Sequence, residues 1–285
     1  MCHRITGQDL QVLPGNYRSV RSLLFSPDSQ TLASIGDDDG NIATIKIWNA
    51  NTGQLQHSFT TDNLIPPYRS AFSPDGKIFA SGHGTTIQVW NLTTGKLLHK
   101  LEDNNDADIS NILALAISPD SQIIATGHLG GGIKIWNLRT GKLLRTLAGH
   151  STPVNKLTFS PFGQILVSGG SSYTDIYVNG FPQSNVEDAS LKMWNWQTGE
   201  LVRTLIDNYE SITALAIEPY GQILASGSQN EIKIWNLHTG QLLRTMDVDD
   251  VGSLTFSADG QTLFVDNFNY NTHVYETQVW QLATP

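Results

Sequence analysis

Residues 132–150 read GIKIWNLRTGKLLRTLAGH, and this stretch decides the fold. Residues 133–135 alternate apolar and polar side chains, which is typical of a β-strand. Residues 137–141 are turn formers that end in Thr-Gly, and residues 143–147 alternate again. The stretch therefore predicts a strand, a tight turn, a second strand and a loop.

The same unit recurs along the chain. Full copies occupy residues 45–59, 87–101, 191–205 and 232–246, and a truncated copy, TQVWQLATP, ends the chain. Each copy follows a Ser-Pro-Asp-like turn and a short apolar run; the residues that start these turns are Phe25, Phe72, Ile117, Phe159, Ile217 and Phe256. The recurring tryptophans are Trp48, Trp90, Trp136, Trp194, Trp235 and Trp280, spaced 42, 46, 58, 41 and 45 residues apart. A period near 40–45 with four short strands indicates β-propeller blades.

With six copies of this pattern, the chain resembles the WD-repeat family over nearly its whole length. One departure is that the dipeptide at the end of the strand is Trp-Asn in five copies and Trp-Gln in the last, never Trp-Asp. The resemblance implies an all-β fold: a β-propeller of six four-stranded WD-type blades in a single domain over residues 1–285. In such a blade the strands run a, b, c, d from the axis outward. Strand a then precedes each Ser-Pro turn, and strand c ends in the tryptophan.

The two ends of the chain complement each other. Residues 6–16 align without a gap with residues 140–150, so residues 6–13 match a strand d that has no a, b or c of its own. After Trp280 the chain stops inside the c–d turn. We expect the N-terminal strand 6–13 to complete the last blade, because pairing satisfies exposed backbone groups at the end of the ring. The matched ends also predict that the ring is complete within this chain.

The longest interval between tryptophans, 58 residues, cannot hold two blades of ~40 residues, so six blades are favoured over seven. Its excess lies between strands b and c of blade 4. Ser168 to Trp194 spans 26 residues, against nine from Ser226 to Trp235, so about 17 residues are inserted, within 171–189.

Composition bounds the function. The 285 residues carry a formal net charge of −9, which argues against nucleic acid or an anionic membrane as partner. The single cysteine, Cys2, cannot form an internal disulfide, which favours a reducing compartment. The N-terminus lacks a hydrophobic signal core, and no apolar run is long enough to span a membrane. We expect a cytoplasmic protein that carries no cofactor.

Blade 4 contains a set of residues that could suggest catalysis: His150, Ser168, Asp188 and Trp194. The resemblance implies instead a buried hydrogen-bonded chain of these four that holds the blade together. A Ser-His-Asp triad is the alternative, but no G-x-S-x-G elbow surrounds Ser168. The other blades lack the histidine at this position and are expected to rely more on apolar packing.

Two further sets could bind metals. His83 and His128 follow strand b in adjacent blades, but no third histidine matches them, and a metal needs converging ligands. Residues 37–40 and 103–108 are acidic but do not match the calcium-loop pattern. Core histidines and solvated acidic loops are the favoured interpretations, and no metal site is predicted.

The loops differ in character between the two faces. The b–c and d–a loops share one face, here called the top face, and they are rich in Asp and Tyr, with few bases such as Arg69 and Lys156. The candidate binding residues there are Tyr68, Tyr173, Tyr177, Phe181, Tyr209, Asp38, Asp106, Asp207 and Asp249. Tyrosines concentrate at binding surfaces because they combine apolar area with a polar tip. About half of these rings could instead close gaps between blades.

These features favour a non-enzymatic scaffold that binds a protein or peptide, one with a basic segment, on the acidic, Tyr-rich top face. We expect a monomeric ring that works within a complex. A propeller enzyme, a hydrolase or lyase using the central mouth, is one alternative. An enzyme of this kind would need His, Lys or Arg residues that converge with its acidic residues on several blades, and the sequence offers no such set around the axis. A domain that binds small ligands or sugars is the other alternative.

Overall fold

The computed structural model describes residues 13, 19–37, 43–60, 69–102, 111–171, 176–178, 181–183, 190–205, 211–270 and 272–282. These residues form strands, turns and loops, and among them no helix is long and apolar enough to cross a membrane. Within the described part of the chain, twenty-five strands build six antiparallel sheets in chain order and one separate two-stranded sheet. The prediction of an all-β, six-bladed propeller is therefore confirmed.

Blades 1 to 3 are four-stranded sheets whose strands pair in the order of the chain. Blade 1 consists of β1 (Ser19–Phe25), β2 (Thr31–Asp37), β3 (Ala43–Asn49) and β4 (Leu55–Thr60). Blade 2 consists of β5 (Arg69–Phe72), β6 (Ile78–His83), β7 (Thr86–Asn91) and β8 (Lys96–Leu101). Blade 3 consists of β9 (Ile112–Ile117), β10 (Ile123–His128), β11 (Ile133–Asn137) and β12 (Leu143–Leu147).

Blades 4 and 5 are also four-stranded, whereas blade 6 has three strands in the described residues. Blade 4 consists of β13 (Val154–Phe159), β14 (Ile165–Gly170), β17 (Leu191–Asn195) and β18 (Glu200–Leu205), with the hairpin β15 (Ile176–Val178) and β16 (Phe181–Gln183) between its strands b and c. Blade 5 consists of β19 (Ala214–Ile217), β20 (Ile223–Gly227), β21 (Glu231–Asn236) and β22 (Leu242–Asp247). Blade 6 consists of β23 (Val251–Phe256), β24 (Thr262–Asn269) and β25 (Val274–Gln281).

The fourth strand expected for blade 6 is not shown. Of residues 6–13, only Leu13 is described, and it belongs to no strand. Closure by residues 6–13 therefore stays a prediction, and the four-stranded pattern holds for five blades of the six.

Local hydrogen bonds explain the Trp-Asn dipeptide. In blade 3 the Asn137 side-chain oxygen accepts from the Thr140 amide at 2.9 Å and from the Thr140 hydroxyl at 3.0 Å. Gly141 then donates its amide to the Asn137 carbonyl at 2.8 Å with a φ of 70°, a conformation that glycine adopts at little cost. Asparagine thus shapes the turn between strands c and d directly.

The a–b turns use a second local device. In blade 2 the Ser73 hydroxyl donates to the Asp75 carboxylate at 2.6 Å and accepts from the Ile78 amide at 2.9 Å. Blade 5 has Glu218 in place of the serine, and one of its carboxylate oxygens accepts from the Gln222 amide at 2.8 Å. A longer carboxylate therefore satisfies the turn in that blade.

The c strands of blades 1 to 5 are buried on both sides, whereas β25 of blade 6 has exposed residues along its whole length. The alternating lysine of the repeat is buried in Lys46, Lys134, Lys192 and Lys233. Buried ammonium groups need partners: Lys192 donates to the Ser190 hydroxyl at 2.9 Å, and Lys233 pairs with Glu231 at 2.6 Å. The alternation of apolar and polar residues in strand c therefore indicates a β-strand, but its polar residues do not face solvent.

Five hydrophobic cores lie between consecutive blades, from blades 1 and 2 to blades 5 and 6. In four of these junctions a residue of the next blade packs directly against a strand-b glycine; the glycines are Gly82, Gly127, Gly169 and Gly227. A Cβ on Gly227 would lie 2.5 Å from a methyl carbon of Val251, and one on Gly169 would lie 2.6 Å from a methyl carbon of Ile212. The blades can approach this closely only because the glycines have no side chain.

The junction between blades 6 and 1 is different. Among the described residues, no hydrophobic core joins these two blades, and Val20, Leu23 and Phe25 of β1 are half-exposed or more. The strand-b position that is glycine in blades 2 to 5 is Asp266 in blade 6, paired with Ser253 in the same register. Asp266 is exposed, whereas the glycines of blades 2 to 5 leave this space to the next blade.

Candidate functional site

Antiparallel order places the b–c and d–a connections of every blade on the top face. Of the nine candidate binding residues there, the structure describes Asp249 fully, as a partly buried residue, and describes Tyr177 in β15 and Phe181 in β16 by their strands alone. The other candidates lie outside the described residues: Tyr68, Tyr173, Tyr209, Asp38, Asp106 and Asp207. Their place in a binding surface stays a prediction.

The insertion in blade 4 contains a β-hairpin. Ile176 pairs with Gln183, Tyr177 with Pro182 and Val178 with Phe181, which leaves two connecting residues. Those two residues are Asn179-Gly180, the dipeptide most typical of two-residue hairpin loops. The hairpin could therefore have been inferred from this dipeptide, whereas the sequence reasoning treated the segment as a loop.

The top end of blade 6 carries an aromatic cluster. The Phe268 ring lies 5.2 Å from the Tyr270 ring and 5.0 Å from the Tyr275 ring, both edge-on. Tyr275 is 83% exposed and Tyr270 47% exposed. The Tyr270 hydroxyl donates to the Asp250 carboxylate at 3.3 Å, so that an acid lies beside the rings. We name Phe268, Tyr270, Tyr275 and Asp250 the blade-6 cluster.

None of the three aromatic residues of this cluster is among the candidate binding residues predicted from the sequence. The usable signal is strand length. β24 and β25 have eight residues each, whereas strands b and c of the other blades have five to seven, so this hairpin continues further at the top face. The pairing of Phe268 with Tyr275 across the two strands brings the rings together.

One of the acidic residues on this face is not a solvated charge. Asp37, at the end of β2, is buried. Its carboxylate accepts from the Ser19 hydroxyl at 2.8 Å and pairs with the Arg21 guanidinium at 3.0 Å. The interpretation of residues 37–40 as a solvated acidic loop is therefore wrong for Asp37.

Three members of the predicted blade-4 network are joined. Ser168 Oγ lies 2.7 Å from His150 Nε2 and accepts from Trp194 Nε1 at 2.8 Å. All three side chains are buried. Asp188 lies outside the described residues, so the four-membered chain stays a prediction. The tryptophan is bonded to the serine oxygen, an arrangement typical of a structural tie between strands b and c.

Other blades keep parts of this network. The indole nitrogen donates to the strand-b hydroxyl from Trp48 to Ser34 at 2.9 Å, from Trp136 to Thr126 at 3.3 Å and from Trp235 to Ser226 at 2.9 Å. The expectation that these blades rely more on apolar packing stays a prediction, although each of the three keeps a hydrogen bond between strands b and c. Polar ties between strands b and c recur around the ring.

His83 and His128 supply the histidine in blades 2 and 3. His83 Nε2 lies 2.8 Å from the Ser81 hydroxyl, and His128 Nε2 lies 2.9 Å from the Thr126 hydroxyl. Residues two apart on a strand share a face, so each histidine reaches the hydroxyl along its own strand. Searched over the described part of the chain, no group of three or more His, Cys, Asp or Glu residues is arranged to hold a metal ion.

An open cavity of about 250 Å³ lies between the axial strands of blades 1 to 4. Its polar lining includes Ser22, Ser70, Asn155 and two bases, Arg69 and Lys156. Burial lowers the pKa of the Arg69 guanidinium. Burial also lowers the pKa of the Lys156 ammonium, and the neighbouring charge of Arg69 lowers it further. Two partly buried cations thus share one cavity in a protein whose net charge is −9.

Comparison with known proteins agrees with this architecture. Residues 7–49, 54–91, 95–137, 141–195 and 199–236 match the family described as WD domain, G-beta repeat. Each match starts near a strand d, or at residues expected to form one, and ends just after a strand-c tryptophan, so one match spans two adjacent blades.

Named relatives are distant and longer. The chain is 28% identical over 213 residues to Periodic tryptophan protein 2 homolog of Dictyostelium discoideum, covering 73% of this chain and 20% of the relative. It is 25% identical to Periodic tryptophan protein 2 of Arabidopsis thaliana, covering 75% of this chain and 21% of the relative. It is 26% identical to Telomerase Cajal body protein 1 of Mesocricetus auratus, covering 72% of this chain and 36% of the relative. The chain thus aligns with about a fifth to a third of these relatives' lengths. Since the repeat pattern matches most of the chain, the protein belongs to the WD-repeat family.

Proposed function

We propose that this propeller is a non-enzymatic interaction scaffold that binds a protein or peptide with a basic segment on its top face. The observation that carries the proposal is the blade-6 cluster, where exposed tyrosines lie beside the Asp250 carboxylate. WD-repeat propellers generally act as protein-interaction scaffolds, which supports the class of function.

The cluster has the chemistry of an anchor for a basic side chain. An aromatic face attracts a Lys or Arg cation within about 6 Å, and a neighbouring carboxylate adds a charged acceptor. Charge accelerates association more than it strengthens binding, so we expect most of the affinity to come from the rings. Tyr270 and Tyr275 are therefore the residues whose loss should weaken binding most.

The blade-4 insertion is the second part of the proposed surface. Tyr173, Tyr177 and Phe181 would contribute further anchors beside the mouth of the ring, and the acidic candidates Asp38, Asp106, Asp207 and Asp249 would attract the basic segment. Segments of this length are commonly functional when they are ordered. The cytoplasm remains the proposed compartment, and a monomeric ring within a complex the proposed state.

The first experiment measures binding of labelled Lys- and Arg-rich peptides by fluorescence anisotropy. The variant Tyr270→Ser with Tyr275→Ser should weaken the best peptide at least about tenfold, since aromatic anchors are common hot spots. The matched control is Tyr220→Ser, because Tyr220 is 60% exposed but lies in an a–b turn on the opposite face. Equal weakening by the control, or none by the double variant, would contradict the proposal.

A second experiment replaces residues 172–186 with a Gly-Ser turn. Folding should persist, because β17 keeps its pairing with β14, and affinity for the same peptide should fall about tenfold if the insertion anchors it. Loss of binding on changing Lys96, Arg139 and Lys142 instead would assign the site to the opposite face. Turnover on an ester or glycan panel without peptide binding would favour the enzyme alternative.

A further inference from the structure

One strand-a position forms a layer around the axial channel. Register with strand b identifies its members in blades 1 to 6 as Ser22, Arg69, Ala114, Lys156, Ala214 and Ser253. Four of these side chains are small. The two long ones are both cationic, and they belong to blades 2 and 4, on either side of Ala114 in blade 3.

The small residue between them lets the two cations converge. Arg69 Nε donates to the Leu113 carbonyl, so its side chain crosses from blade 2 to blade 3. Lys156 approaches from the other neighbour of blade 3, since β13 and β5 both pack against β9. The guanidinium charge is close enough to lower the pKa of the Lys156 ammonium. Both groups line the same cavity.

An anion would stabilise this arrangement. Two like charges that lose water together repel each other, and burial weakens their solvation. The charge placed against Lys156 within the described residues is another cation, and this lysine makes no hydrogen bond or ion pair there. The hydroxyls of Ser22 and Ser70 and the amide of Asn155 add neutral donors to the same lining. Such a set matches the acceptor oxygens of an oxyanion.

We propose that the channel cavity bounded by Arg69 and Lys156 is a binding site for a small oxyanion, either a phosphate group or a carboxylate. The volume of about 250 Å³ holds about eight waters at ~30 Å³ each, which is room for such a group with part of its hydration shell. The site is separate from the blade-6 cluster and selects the opposite charge. It does not depend on the scaffold function proposed above.

The test titrates the full chain with inorganic phosphate and, separately, with acetate, using calorimetry and thermal unfolding. Wild type should bind at least one of them and melt at a higher temperature in its presence. Which of the two binds more tightly distinguishes a phosphate site from a carboxylate site. Lys156→Met should weaken binding roughly tenfold or more, the loss expected for a charge-assisted hydrogen bond. Lys142→Met removes the same charge from an exposed turn and should leave binding unchanged.

A second variant keeps the test decisive if Lys156→Met changes folding. Ala114→Asp places a carboxylate between the two cations, so it should abolish phosphate and acetate binding and raise the melting temperature without added anion. The proposal is overturned if wild type binds neither anion at millimolar concentration. It is equally overturned if Lys156→Met binds as tightly as wild type, or if Lys142→Met loses as much.

Discussion

The five junctions between consecutive blades and the junction of blade 6 with blade 1 use the same repeat in different ways. Val154 and Val251 begin strand a in blades 4 and 6, and Ile212 lies two residues before strand a of blade 5; all three are fully buried against the preceding blade, whereas Val20, the matching residue of blade 1, is 49% exposed. Phe72 of blade 2 is 9% exposed and its counterpart Phe25 is 62% exposed. A recurring sequence therefore does not by itself produce equivalent junctions.

Charge at one strand-b position distinguishes blade 6, since Ile35 holds the same position in blade 1 and packs against blade 2. Asp266 stands where blades 2 to 5 have glycine, and its carboxylate accepts from Thr277 at 2.7 Å and from Ser253 at 2.8 Å. These hydrogen bonds hold the pKa of Asp266 below its usual range, so the group is ionised at neutral pH. Packing Val20 against it would both collide with it and remove water from a charge. The sixth junction must therefore be built differently from the others.

The largest expected effect concerns the edge of blade 6. Deleting residues 1–13 should remove the strand predicted to pair with β25 and should cost several kcal/mol, a large part of a typical stability of about 5–15 kcal/mol. Urea unfolding measures the loss. Deleting residues 1–5 alone leaves the predicted strand and should have little effect. An unchanged melting temperature after the longer deletion would refute closure by the N-terminal strand.

The next effect compares a substitution of the strand-b glycine of blade 4 with a substitution of Asp266, which holds the same position in blade 6. Gly169→Val should destabilise by about 3 kcal/mol, because overpacking costs about 1–3 kcal/mol or more and the new Cβ meets Ile212 at 2.6 Å. Asp266→Val at the matching position should cost less than about 1.5 kcal/mol, because the two hydrogen bonds of Asp266 are exposed to solvent. Equal losses from the two variants would mean that the sixth junction packs like the others.

A smaller effect tests the blade-4 network. Blade 6 has Val265 in place of Ser168, and its Trp280 indole donates instead to Gln278 at 3.1 Å. In blade 4, Ser168→Ala removes the hydroxyl that contacts His150 Nε2 and Trp194 Nε1. Because these groups are buried, the substitution should cost about 1–3 kcal/mol, the penalty for unsatisfied buried groups.

His150→Ala and Asp188→Ala should each destabilise, and together by less than their sum if both act in one network. Chemical denaturation of the two single variants and the double variant measures the coupling. A hydrolytic activity that disappears in a folded Ser168→Ala protein would instead support the triad.

The smallest effect is expected at the exposed face of blade 1. Phe25→Ala should change stability by less than about 0.5 kcal/mol, as exposed substitutions usually do. Phe72→Ala, its counterpart in blade 2, should cost about 3–5 kcal/mol because it leaves a core cavity. If both variants lose the same stability in parallel urea melts, the face of blade 1 is covered in solution.

The sequence predicted features that depend on neighbours along the chain. The Trp-Asn turn and the Ser-Pro-Asp turn both close within a few residues, so their spacing was enough to place every blade. The contact of Ser168 with Trp194 was also expected, from the resemblance to the WD-repeat family. The roles of His83 and His128 were missed, although their two-residue spacing from a hydroxyl was a usable signal.

The sequence by itself determined the period, the order of strands within each blade and the turns, because these follow from local hydrogen bonds and from which residues alternate. Tertiary structure decided which residues meet across blades. Arg69 and Lys156 are 87 positions apart and share a cavity only because the ring brings blades 2 and 4 to one axis. Likewise, the sequence shows an aspartate at 266 where blades 2 to 5 have glycine. Only the packing of neighbouring blades shows that a side chain at those glycines would meet the next blade. Such contacts depend on the packing of whole sheets, which no local pattern specifies.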